Sequence, residues 1–193
     1  MNVMNIPLAD ALRIIAQHRG QRVVVPTMSS VAVWPNFSDG PLDFHYIPSS
    51  MGQGPSLGLG LALAKPNHGA IVLCGDGSLL MNLGCLVTIA QHPANLWVIL
   101  LDNAQYEITG GQPVAGADRT DFGTLARAAG IARTYQFADT AAWDRQAKEV
   151  LAGAGPVFVW LKIESRAGVT TPVAPRPMAQ QVMQLRSGLG IVD

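Results

Sequence analysis

The period of the apolar positions changes several times along this chain, and each change marks an element. Leu8, Ala11, Leu12 and Ile15 recur at the three- and four-residue spacing of one helix face, with Pro7 ahead of them and Gly20 behind. Residues 22–25 are β-branched after the first and read as a short strand. Residues 27–50 keep no period, because Pro35, Gly40, Pro41 and Pro48 break them. Residues 54–64, GPSLGLGLALA, predict a helix of small and aliphatic residues. Glycine inside a solvated helix costs about 1 kcal/mol, so Gly58 and Gly60 predict a face packed closely against a neighbour.

Two continuous apolar runs follow, at 70–74 and 96–101, on either side of a helix predicted at 79–91. Strands apolar on both faces belong in a parallel sheet covered by helices. Strand, helix and strand in this order make a right-handed βαβ unit. The alternation continues with a helix at 121–129, a strand at 132–137, a helix at 140–152 and a strand at 156–163. A proline-rich stretch at 170–177 leads into a last helix at 178–187. The expected architecture is α/β, a doubly wound parallel sheet filling residues 1–193, with the proline-rich segment and helix at 170–190 as its end.

Composition sharpens this picture. Of the 193 residues 49% are hydrophobic and only 13% charged, against a usual charged share of about 25%. So little charge predicts a surface that partly faces protein. Thirteen basic and thirteen acidic residues cancel, which gives no sequence-wide pull toward nucleic acid or anionic membrane. No apolar run approaches the roughly 20 residues of a membrane helix, and residues 1–7 lack the form of a signal peptide. Cys74 and Cys85 share no CxxC spacing and read as buried thiols. A cytoplasmic setting is expected.

Ligands of such sheets bind beyond the carboxyl ends of the strands. One predicted strand ends Cys74-Gly75-Asp76-Gly77-Ser78 and runs into a helix; another ends Leu101-Asp102-Asn103 before a long loop. Gly75 and Gly77 allow a sharp turn and close approach of a ligand. Ser78 stands near a helix start, where free N–H groups favour phosphate. Asp76 offers a carboxylate oxygen and Asn103 an amide oxygen, a set that magnesium completes with phosphate and water. The residues therefore predict a magnesium–diphosphate site. A plain tight connection after a strand is the rival for the glycines. A dinucleotide site is not expected, since Gly52, Gly54, Gly58 and Gly60 do not fit G-x-G-x-x-G.

The segment GDGSLLMNLGCLVTIAQHPANLWVILLDN, residues 75–103, resembles the motif of thiamine diphosphate-dependent enzymes, which begins GDG and ends NN. Asp102 stands where the first closing asparagine is usual. The resemblance implies that Asp76, Asn103 and the backbone carbonyl of Gln105 hold Mg2+, and that Ser78 meets the diphosphate. Upstream, SSMGQGPSLGLGLALA resembles the segment that grips the cofactor's pyrimidine half. It implies Met51 as the wedge between the two rings, and the Ser49 carbonyl as acceptor for the 4′-amino group. Ser50, Gly75, Gly77, Tyr106 and Ile108 are implied as cofactor-lining. The run 103–113, NAQYEITGGQP, is similar to the post-motif loop of sulfopyruvate and phosphonopyruvate decarboxylases, as is the end of the chain.

That resemblance is to one module, the diphosphate-binding (PP) domain. A second module of similar fold, the pyrimidine-binding (PYR) domain, supplies the glutamate that activates the cofactor. Only Glu107, Glu149 and Glu164 exist here, and none has the expected setting. A partner subunit carrying the PYR domain is therefore implied, as in the β-type subunits of split decarboxylases. The implied activity is decarboxylation of a small anionic 2-oxo acid. Carboligation of the acetolactate synthase kind and a non-catalytic cofactor-binding module are the alternatives. Glu107, Thr109 and Gln112 are placed on the substrate side, with Glu107 either a proton relay or a solvated carboxylate. His45 either serves the substrate or is satisfied locally. Arg119 is weighed as an anion contact or a surface residue, and His18, His68 and His92 as structural.

Overall fold

The structure is a computed structural model that describes residues 5–191. Residues 1–4, part of the 1–7 segment expected not to form a signal peptide, and residues 192–193 lie outside the described residues. The chain runs through α1 (Leu8–His18), β1 (Val23–Pro26), α2 (Ser30–Val33), α3 (Gly54–Ala64), β2 (Ala70–Gly75), α4 (Asp76–Leu80), α5 (Gly84–Gln91) and β3 (Leu96–Asp102). It continues through β4 (Gln105–Tyr106), β5 (Gln112–Pro113), α6 (Phe122–Ala128), β6 (Arg133–Phe137), α7 (Thr140–Ala152), β7 (Val157–Lys162) and α8 (Met178–Gly188).

Five strands form a parallel sheet in the order β1-β2-β3-β7-β6. Successive side chains of a strand point to opposite faces, and both faces here are apolar. Val72, Cys74, Val98, Leu100, Phe158 and Trp160 face one side, where α3, α5, α6 and α8 supply Leu59, Leu86, Ile89, Phe122 and Leu185. Ile71, Leu73, Trp97, Ile99, Val157 and Val159 face the other, against Leu12, Ile15, Trp143 and Val150 of α1 and α7. Stepping from β1 through β2 and β3 to β6 puts α3, α5 and α6 on the first face. The step back from β6 to β7 puts α7 on the second, as right-handed crossovers require.

Of the two glycines inside α3 that predict a tight face, Gly58 shows it within this chain. A Cβ there would stand 2.2 Å from Val72 Cγ2, so this glycine lets α3 press onto the chain's own β2. A Cβ at Gly60 would meet nothing within 4 Å in this chain. The helix predicted at 79–91 begins earlier, at Asp76, and breaks after Leu80. Met81 and Asn82 donate to carbonyls three residues back, and the Asn82 side chain donates to the Gly52 carbonyl at 3.1 Å. A side chain bonded to backbone elsewhere competes with regular helix. The aperiodic stretch 27–50 is held by a buried polar cluster instead of a stripe. Asp43 accepts from Trp34 Nε1 at 2.9 Å, the Ser38 hydroxyl at 2.6 Å, the Gly40 N–H at 2.7 Å, and Arg19. Among the described residues no helix is long and apolar enough to cross a membrane.

Candidate functional site

The cleft lies at the carboxyl edge of the sheet. Leu73 pairs with Pro26 and Gly75 with Leu101, so β1, β2 and β3 end side by side. There they enclose about 500 Å3 of empty space, part of it open to solvent. Met51, Gly75, Asp76, Gly77, Ser78, Asn103, Gln105, Tyr106, Glu107, Ile108 and Thr109 all line it. These positions come from three separate segments that only the fold brings together.

Asp76 is a buried carboxyl left short of partners. It is 1% exposed, and its Oδ2 has no hydrogen-bond partner. Burial, with the neighbouring Asp102 carboxylate, pushes its carboxyl up to about 7, and the Gly77 N–H offsets this only in part. A buried charged group left unpaired costs more than the roughly 1–3 kcal/mol of a neutral one. A cation at Oδ2 removes that cost. The Asn103 amide oxygen accepts the Gln105 N–H at 3.0 Å and keeps its second lone pair. A Cβ on Gly75 would meet nothing within 4 Å, so the backbone here leaves room for a ligand. One carboxylate, one amide oxygen and open space suit a hard cation that takes its remaining oxygens from phosphate and water. No three His, Cys, Asp or Glu side chains gather as a separate metal cluster among the described residues.

The walls are fixed from behind. Ser78 is 4% exposed, and its hydroxyl accepts the Gly52 N–H at 2.8 Å, which ties the turn after Met51 to α4. Gly77 serves packing: a Cβ would stand 2.3 Å from Tyr106 Cε1, so the Tyr106 ring lies on it. Asp102 accepts the Ala104 N–H at 3.1 Å and the Trp160 indole N–H at 2.7 Å. Successive turns of this kind at Asp102 and Asn103 shape the exit from β3.

Glu107 is neither free nor solvated. It is 7% exposed and accepts from the Arg166 N–H at 2.9 Å and Nη2 at 3.1 Å. Burial alone would raise its carboxyl, but the Ser29 hydroxyl and Arg166 outweigh burial and hold it below the usual range. It thus joins the post-motif loop to the end of β1 and to the segment after β7.

Other positions stand apart. His45 is fully buried and outside the cleft lining, with both ring nitrogens unbonded; its backbone N–H donates to Gln181 of α8 at 2.8 Å. Ser49 and Ser50 precede Met51 without lining the cleft. Gln112 is exposed on the β4–β5 hairpin. Arg119 is exposed and pairs with Asp118 at 3.6 Å. His68 Nδ1 donates to the Gln21 carbonyl, 2.8 Å away. Cys74 and Cys85 are free and buried, and burial pushes their thiols up to about 12 and about 11. The residues missed from sequence are Thr27, Met28 and Ser29, which line the cleft from the end of β1. The signal for them is that β1 neighbours β2.

The aspartate with an unpartnered buried oxygen and the asparagine at adjacent strand ends of a doubly wound sheet form a cleft whose chemistry suits a metal-chelated diphosphate. Residues 30–161 match the family of the thiamine pyrophosphate enzyme C-terminal TPP-binding domain, and the chain belongs to it. Thiamine pyrophosphate and thiamine diphosphate are the same cofactor. The chain is 45% identical over 127 residues to a sulfopyruvate decarboxylase subunit beta of Methanothermobacter thermautotrophicus, covering 65% of this chain and 64% of that one. It is 34% identical over 140 residues to a phosphonopyruvate decarboxylase of Streptomyces hygroscopicus, covering 70% of this chain and 34% of the relative. It thus spans less than two thirds of either relative. A thiamine diphosphate-dependent 4-hydroxybenzoylformate decarboxylase of Rhodococcus jostii shares the fold, with a TM-score of 0.72 at 23% identity over 84% of this chain and 33% of the other.

Proposed function

We propose that this chain is the cofactor-binding subunit of a thiamine diphosphate-dependent 2-oxo acid decarboxylase of the sulfopyruvate or phosphonopyruvate type, acting in the cytoplasm. The observation that carries this is Asp76 Oδ2, buried without a partner in the same cleft as Met51, Asn103 and Gln105. Asp76, Asn103 and the Gln105 carbonyl would hold Mg2+. Ser78 would meet the diphosphate, and Met51, Tyr106 and Ile108 would bound the rings. When bound, the cofactor supplies the electron sink for loss of carbon dioxide. The chain's own residues orient it and keep water off its buried end.

The activating glutamate comes from a partner subunit with the pyrimidine-binding domain. Support lies in this chain's own glutamates: Glu107 is committed to Arg166, while Glu149 and Glu164 do not line the cleft. Thr109 stands on the substrate side of the cleft. Glu107 positions that wall, and no proton transfer is assigned to it. No role is assigned to His45, which does not line the cleft.

Calorimetry tests the site directly. Thiamine diphosphate should bind only with Mg2+, and Asp76→Ala should abolish binding. Unimpaired, metal-independent binding by that variant overturns the assignment. Sulfopyruvate and phosphonopyruvate should lose carbon dioxide only when a partner chain with the complementary domain is added. Full activity from this chain alone overturns the split arrangement.

A further inference from the structure

Asp102 stands where the motif usually carries asparagine, and both of its carboxylate oxygens accept N–H groups. It is 6% exposed at the end of β3, with Oδ2 on the Trp160 indole N–H at 2.7 Å and Oδ1 on the Ala104 N–H at 3.1 Å. Lys162 is its partner across the β3–β7 register, with Nζ 3.8 Å from Oδ2 and 4.8 Å from the Trp160 ring centre. Lys162 is about one third exposed, with its side chain at 34%. Water therefore screens its charge more than that of the buried carboxylate.

Asp76 lies beside this anion with one oxygen unpartnered and its side chain almost wholly buried. Among the described residues, Lys162 is the cation paired with Asp102, at the long distance of 3.8 Å, and no ion pair reaches Asp76. An asparagine at position 102 would leave one negative charge here instead of two. A phosphate arriving without a cation would be repelled by both carboxylates, whereas a divalent cation would be attracted by both.

We propose that Asp102, fixed by Trp160 and Lys162, makes this cleft a divalent-cation site that fills in the absence of diphosphate. Asp102 is a positioning residue. Its oxygens are taken by N–H groups, so it acts on the cation through charge, from the second sphere, while Asp76 makes the contact. Lys162 moderates the same field with opposite sign. The inference deepens the proposed function and rests on it for the place of the cation.

The test uses the chelator-treated full chain with no thiamine diphosphate. MgCl2 and MnCl2 are titrated against NaCl of equal ionic strength, and melting temperature and tryptophan fluorescence are recorded. Mg2+ alone should raise the melting temperature, and Asp76→Asn should remove the rise. Asp102→Asn, which removes the charge and keeps an acceptor oxygen for one of the two N–H donors, should weaken cation binding about tenfold, and Lys162→Met, which leaves both donors in place, should tighten it, as charge at short range in a partly buried site requires. The double variant should return toward the parent. A parent chain that binds no divalent cation without diphosphate overturns the inference. So does an Asp102→Asn chain that binds as tightly as the parent, or cation binding that survives Asp76→Asn. If thiamine diphosphate with Mg2+ still binds the parent chain in any of these cases, the proposed function stands and only the role of Asp102 falls.

Discussion

The Ser78 hydroxyl accepts the Gly52 N–H at 2.8 Å. This one bond links two segments 26 positions apart and holds the turn behind Met51 against the helix that begins at Asp76. Gly52 has φ +83°, and a Cβ there would stand 2.8 Å from Asn82 Cβ. The side chain at the mouth of the cleft is therefore fixed by backbone conformation as well as by its own packing.

Ser78→Ala leaves a buried N–H without its acceptor, which costs about 1–3 kcal/mol. Urea unfolding should show that loss, and calorimetry should show weaker thiamine diphosphate binding. Gly52→Ala should be worse in both measurements, because strain and overlap act together there.

Gly75 and Gly77 separate a requirement of the ligand from a requirement of the fold. A Cβ at Gly75 meets nothing within 4 Å, while one at Gly77 stands 2.3 Å from the Tyr106 ring. Gly75→Ala should leave the free energy of unfolding within about 0.5 kcal/mol of the parent and still impair cofactor binding, since the methyl occupies cleft space. Gly77→Ala should lose stability by about 1–3 kcal/mol through overpacking against the Tyr106 ring, as urea unfolding would show.

The raised carboxyl of Asp76 fixes a pH dependence and its sign. The folded chain holds this proton up to about 7, whereas an unfolded aspartate releases it near 3.9. Between those values the folded state binds more protons, so stability contributed by the protonated form declines as pH rises. Chelator-treated protein should therefore melt at falling temperature across roughly pH 4 to 7, relative to Asp76→Asn, which cancels the other titrating groups. Saturating Mg2+ with thiamine diphosphate should flatten or reverse the difference above pH 7. A parent and variant with parallel profiles would refute the burial argument.

The sheet was legible because its strands are apolar on both faces, and runs such as Leu96–Asp102 have no other use. The diphosphate end of the site was legible because glycine, aspartate and asparagine at strand ends carry their chemistry locally. Three features stayed hidden for physical reasons. Gly58 and Gly60 look alike in sequence, yet only one faces β2. Thr27, Met28 and Ser29 enter the cleft only through the strand order, which no local pattern encodes. Glu107 meets Arg166 across 59 positions, so its burial and pairing could not be read from the polar loop around it.

That pairing gives the last prediction. Arg166→Met removes the cation from a carboxylate that is 7% exposed. Breaking a fully buried pair costs about 3–5 kcal/mol, but Arg166 is itself about one third exposed, and solvent screening reduces this to about 1–2 kcal/mol. Glu107→Gln keeps the shape and the Ser29 contact while removing the charge. It should recover part of the loss when combined with Arg166→Met. The folded Glu107 carboxyl lies below its usual range, so its contribution is complete above the unfolded value of roughly 4.3 and lost as pH falls through the folded one. Acid unfolding of Glu107→Gln should accordingly be less steep than that of the parent. With the partner subunit present, a wall-positioning role predicts a raised KM with kcat largely kept in Glu107→Gln. A kcat that collapses at unchanged KM would instead make Glu107 a proton carrier, and the ion pair would then have to open during turnover.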